Sequence, residues 1–428
     1  MSPVPTIPIQ SATTATTETV DATPTSLPDS AELAALYLRP GPLQLKSLPP
    51  LALYVHLPWC VRKCPYCDFN SHGLSQLPQQ ALPEADYLQA LRADLEQALP
   101  LIWGRKIHSV FIGGGTPSLF SAAAIEQLLN DIRMLTGLGP DVEVTLEANP
   151  GTFEAEKFSA FRTAGINRLS LGIQSFAPEH LQALGRIHDD RQAHAAVAHA
   201  AKYFDNFNLD IMFALPQQTL AECALDIETA LGYRPPHISI YHLTLEPNTY
   251  FHRYPPVLPD DDLAADMQAL ITTRTAEAGY VHYEVSAYAQ PGRTSRHNSN
   301  YWEFGDYLGI GAGAHSKLSF PHRIVRQLRY KQPKHYMAQA VRRQAIQESH
   351  EVAIKELPFE FMLNALRLQA GFPVNLFYER TGLTLNQIES QLNQAETQGL
   401  LERDFQQIRP TAKGRAFLND LLQLFLSN

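Results

Sequence analysis

The chain of 428 residues is 45% hydrophobic and 18% charged, an ordinary globular mix that excludes a wholly disordered chain and a coiled coil. At roughly 150 residues per domain it has room for two to three. The 34 Lys and Arg against 43 Asp and Glu leave a net charge of -9, without the basic footprint of a nucleic-acid binder. No apolar run approaches the ~20 residues of a membrane helix, so there is no integral segment and any membrane contact is peripheral. The N-terminus lacks a secretory signal, and a cytoplasmic protein is expected.

Residues 1–48 are rich in Ser, Thr, Pro and Ala, with no Lys or Arg before Arg39, and read as a disordered tail holding one short helix over 30–37. From Leu51 β-rich runs at 51–56, 107–112, 142–146, 168–173, 207–213 and 237–243 alternate with segments of helical apolar spacing at 84–99, 121–135, 153–164, 191–204 and 220–231. Six parallel strands joined by helical crossovers follow, and periodicity alone does not choose between an open sheet and an incomplete barrel. Over 291–354 the pattern becomes polar and aromatic, an expected elaboration over the mouth of the strands. Residues 355–428 read as helices, a hairpin at 400–411 and a last helix. That is a winged-helix-like domain, expected as a lid or partner-docking surface rather than a DNA reader, given the acidic balance.

Cys60, Cys64 and Cys67 fall within eight residues directly after the first strand. They are too close together for a disulfide framework and stand at a strand's C-terminal end, where α/β folds place their chemistry. Soft thiolates suit zinc, with His56 or His72 as a fourth ligand, or iron–sulfur iron. Cys223, alone in a helical segment, reads as an inert buried thiol. Gly113-Gly114-Gly115-Thr116-Pro117 closes the second strand, and its glycines would let a backbone approach a ligand.

The spacing Cys-x3-Cys-x2-Cys with Tyr66 before the last cysteine resembles the radical S-adenosylmethionine (SAM) enzymes. That resemblance implies an incomplete parallel (β/α)6 barrel over 49–290. It also implies a [4Fe-4S] cluster on Cys60, Cys64 and Cys67, with the fourth iron open to SAM. Within that superfamily the chain is similar, over residues 50–428, to the oxygen-independent coproporphyrinogen III oxidase group. The resemblance implies SAM contacts at Tyr54, Tyr66, Gly114, Gly115, Thr116, Glu147, Gln174, Arg186 and Asp210. The family usually has Gly where this chain has Ala214.

Two functions from different classes share that site: an oxidase decarboxylating coproporphyrinogen III, and a chaperone that carries haem. The oxidases have a fourth cysteine two residues after the third, where this chain has Phe69. The segment His297-Asn298-Ser299-Asn300-Tyr301-Trp302 resembles the His-Asn-x-x-Tyr-Trp signature of the HemW family of haem chaperones. This implies His297 as the haem ligand, with Tyr301 and Trp302 against the porphyrin, Arg293 or Arg296 on its propionates, and His56, His72 and His315 as other imidazoles within reach. The expected partners are an electron donor for the cluster and acceptor haemoproteins, respiratory ones among them; no nucleic acid is expected.

Overall fold

The structure, a computed structural model, describes residues 30–77, 81–152 and 155–426. Most of the expected tail, residues 1–29, and the start of the helix expected from residue 153 lie outside them. Twelve strands form one sheet: β1 (Leu51–Leu57), β2 (Ile107–Gly114), β3 (Glu143–Ala148), β4 (Arg168–Gln174), β5 (Phe207–Phe213), β6 (His237–His242), β7 (Val281–Glu284), β8 (Ala287–Ala289), β9 (Asp306–Ile310), β10 (His315–Phe320), β11 (Arg323–Arg329) and β12 (Ile346–Glu351). Their spatial order is β12-β11-β10-β9-β1-β2-β3-β4-β5-β6-β8-β7.

The six expected strands are β1 to β6, and β9 joins them as a seventh, parallel to β1. Antiparallel strands extend the sheet on both sides. The parallel strands alternate, as half-buried strands do. Val55, Ile112, Leu146, Leu171, Leu209 and Ile238 pack outward in the main core. Tyr54, Ser109, Glu147, Arg168, Ser170, Asn208, Asp210 and His237, on the alternate positions, face the lumen. The outward apolar set holds the barrel together, so the lumen is free to be polar.

Residues 30–48 do not behave as an isolated tail. Leu33 and Tyr37 of the helix Ser30–Tyr37 enter the main core, and Leu43 and Leu45 enter the core of the C-terminal unit. That unit has helices Leu357–Ala365, Val374–Thr381 and Glu389–Thr397 and a three-stranded sheet from Phe372–Pro373, Leu401–Arg403 and Gln407–Pro410, a winged-helix arrangement.

Its position corrects the expected lid. Phe361 packs on Phe304, Arg380 donates to the Glu303 carbonyl, and Arg367 lies over the Trp302 ring. All three contacts fall beside the helix Arg296–Trp302 and the start of β9, at the N-terminal ends of the parallel strands. The cysteines follow the C-terminal end of β1. The C-terminal unit therefore closes the floor of the barrel, and the mouth stays open. Among the described residues no helix is long and apolar enough to cross a membrane.

Candidate functional site

The cysteine loop is closed at its base by a two-residue ribbon in which Trp59 and Cys60 pair with His72 and Gly73. Trp59, 1% exposed, fixes that base edge-on to Tyr87 and beside Phe120. The Cys67 amide donates to the Cys64 carbonyl at 3.2 Å. The glycines of β2 serve this packing: a Cβ on Gly114, whose φ is +115°, would collide with the His56 ring, and one on Gly115 with the Trp59 carbonyl. The close approach read from the sequence is thus between the glycine strip and the cysteine loop.

The three thiols are unbridged and line one cavity of about 350 Å³, a volume that suits a cofactor-sized ligand. Burial pushes the Cys60 and Cys67 thiols up from their ordinary range, so holding them as thiolates calls for strongly positive iron or zinc. Among the described residues no three His, Cys, Asp or Glu side chains converge on a point where one ion could sit. A tetrahedral zinc needs such convergence; three thiolates bound to three irons of one cluster do not. His56 is also committed, its Nε2 to the Asn70 carbonyl and its Nδ1 to the Tyr54 hydroxyl.

Around the thiols, Tyr66, Gly114, Gly115, Thr116, Glu147, Gln174, Arg186 and Asp210 all line the cavity. Arg186 donates to Cys64 Sγ at 3.7 Å and to the Gly172 carbonyl at 2.7 Å. Gln174 sits at φ 69°, just where the β4–β5 register shifts; a non-glycine residue held in that region at a site is a common sign of function. Glu147 Oε2 accepts from the Gly114 amide at 3.0 Å. Burial and then the nearby Asp210 charge push its carboxyl up to about 7. Burial raises Asp210 too, against donation from Ser170 and Asn208. Tyr54 is the exception: it stands lower in the lumen against Phe111 and His297.

The structure does not bring the His297 motif to this cavity. The helix Arg296–Trp302 plugs the lumen floor, its first amides donating to Glu143 Oε1. His297 is 4% exposed, stacked on Phe111, with Nδ1 paired to Ser109 Oγ. Burial lowers its imidazole to about 3. Tyr301 is stacked on Tyr307, Trp302 is covered by Arg367, and Arg296 donates to the Asp141 carbonyl. In this arrangement His297 is enclosed by these contacts and does not line the cavity. His72 and His315 do not line the cavity either. Among the described histidines the one that does is His242, at the end of β6. Burial keeps its imidazole below the usual range, and its ring packs edge-on to Phe213. No motif surrounds His242 in the sequence, and its place at a strand end was the one available signal. Exposed Val61, Phe69, Ile187 and Tyr241 form an apolar rim around the opening.

A partial parallel barrel with three thiols at its mouth and carboxylates below them is the arrangement of a radical SAM protein. Residues 54–230 match the radical SAM superfamily and 353–417 the HemN C-terminal domain. The fold matches that of the coproporphyrinogen III oxidase HemN from Escherichia coli, a radical SAM enzyme, with a TM-score of 0.75 over 88% of this chain and 90% of that one at 23% identity. The chain is 46% identical to the haem chaperone HemW of E. coli over 89% of its own length and 99% of the relative's. It is 47% identical to that of Haemophilus influenzae over 90% and 100%, and 32% identical to that of Bacillus subtilis over 87% and 98%. The chain belongs to the HemW family of haem chaperones, within the radical SAM superfamily. Membership of that superfamily implies a [4Fe-4S] cluster and SAM, and the donor set fits both.

Proposed function

We propose that this protein binds haem across the mouth of its cofactor cavity and delivers it to acceptor haemoproteins in the cytoplasm, receiving electrons for its cluster from a separate donor. The observation that carries the reading is the juxtaposition at that mouth of three thiols, one free-standing imidazole and an apolar rim. Cys60, Cys64 and Cys67 would hold the cluster. Tyr66, Gly114, Gly115, Thr116, Glu147, Gln174, Arg186 and Asp210 would hold SAM. When bound, the cluster and SAM would together supply one-electron reductive cleavage of the sulfonium to methionine and a 5′-deoxyadenosyl radical.

The chain's own residues do the rest. Arg186 orients beside Cys64, and the paired carboxylates present acceptors to hydroxyl and amino donors of SAM. Phe69 and Tyr241 offer flat apolar area to a porphyrin face. Exposed Arg62 of the cysteine loop can pair with a propionate, and the neutral His242 imidazole is the available axial ligand. Incubating the haem-loaded, anaerobically reconstituted protein with an apo-haemoprotein tests this. Haem should move to the acceptor and coproporphyrinogen III should stay undecarboxylated; decarboxylation without haem transfer would replace the reading with the oxidase.

A further inference from the structure

Below the cavity the lumen holds a hydrogen-bonded chain that no part of the cofactor site explains. Asp210 Oδ1 accepts from Asn208 Nδ2 at 2.8 Å, Asn208 Oδ1 is 2.7 Å from His237 Nδ1, and His237 Nε2 is 2.8 Å from the Tyr283 hydroxyl. An amide oxygen only accepts, so His237 Nδ1 carries the proton and Nε2 must accept from Tyr283. Burial drives His237 far below its usual range, which keeps that neutral tautomer in place. Each donor therefore points the same way, from Tyr283 through His237 and Asn208 to Asp210. The histidine also decides the side amide's orientation: turned over, Asn208 would set its oxygen against the carboxylate.

The far end of the chain is tied to the C-terminal unit. The Gln369 amide donates to the Tyr283 carbonyl at 3.1 Å, Glu284 bridges to Leu368, and Arg367 Nη2 donates to Glu284 Oε2 at 3.2 Å. Around Asp210 stand Glu147 on β3, Arg168 on β4 and Tyr241 on β6. Arg168, 2% exposed, has no carboxylate within ion-pair distance among the described residues, and its Nε finds no partner there. Asp210 is thus held by oriented neutral donors at hydrogen-bond distance, with the Arg168 charge acting from farther away.

We propose that His237 and Tyr283 are positioning residues for the cofactor cavity, a directional relay through which the docked C-terminal unit sets how Asp210 is presented to SAM. This rests on the reading that Asp210 faces SAM. An aligned donor lost from a buried carboxylate weakens what the carboxylate binds and makes it easier to protonate.

The test is equilibrium dialysis of SAM against the anaerobically reconstituted full chain over about pH 5 to 9, a span that crosses the shifted carboxylates. His237→Phe should weaken binding about tenfold and Tyr283→Phe about threefold, with the acid limb of affinity moved to higher pH in both. Arg367→Ala, far from the cavity lining, should move the limb the same way. Tyr283→Phe removes one oxygen, and so it keeps the test valid if His237→Phe fails to fold. Wild-type affinity and limb in Tyr283→Phe would overturn the relay, and an unmoved Arg367→Ala its tie to the C-terminal unit. A wild-type chain with no affinity for SAM would instead overturn the reading of the cavity on which the relay rests.

Discussion

Glu147 gives the cavity a pH dependence within the physiological range. Its carboxyl titrates at about 7 in the folded chain against an ordinary 4.5, so the folded state keeps a proton that the unfolded state has released. Stability therefore falls as pH rises from the ordinary value through about 7, and the loss is complete above it. Glu147→Gln should flatten that dependence and raise the melting temperature of the cofactor-free protein at alkaline pH while weakening SAM binding; thermal melts across the pH range check the first and dialysis the second. A melt whose pH dependence survives the substitution would contradict the assignment. Ala214 shows a smaller strain. It is buried at φ 55°, a region costly for any side chain, and Ala214→Gly should stabilise the fold by about 1 kcal/mol in urea titration.

At the scale of elements, β9 is the seventh parallel strand, which the expected six did not include. Its first residue, Asp306, is fully buried and binds Lys317 Nζ at 2.9 Å and Arg105 Nη2 at 2.8 Å. It thereby joins the antiparallel extension to the barrel. Asp306→Asn should destabilise the protein by about 3–5 kcal/mol, because Lys317 would be left buried and short of its counter-charge; a denaturation midpoint within error of wild type would refute the role. The strand escaped sequence reading because five residues ending beside Gly309, Gly311 and Gly313 give no periodicity, and its parallel partner β1 is distant in the chain.

The parallel strands were readable for the opposite reason: each is a β-rich run followed by a helix of its own. The place of the cysteines in the cavity was readable because all three lie on one loop, and that of Glu147 and Asp210 because strand ends point to the mouth. The helix Arg296–Trp302 carries a motif just as compact. Nothing local to it says whether the chain returns to the mouth or to the floor of the lumen, and only the packing of Glu143, Ser109 and Phe111 decides.

For the whole molecule, the two ends of the barrel have separate tasks. The open end gathers the thiols, carboxylates, His242 and an apolar rim, while the floor is closed by the motif helix and the C-terminal unit. The account predicts that haem meets the open end. The measurement that tests this most directly is a Soret-band titration of the anaerobically reconstituted protein with haem, run beside His242→Ala and His297→Ala. Saturable, equimolar binding that His242→Ala weakens about tenfold and shifts in band position, with His297→Ala bound as the wild type, is the expected result. Equimolar binding lost in His297→Ala and intact in His242→Ala would contradict it and place the haem at the floor.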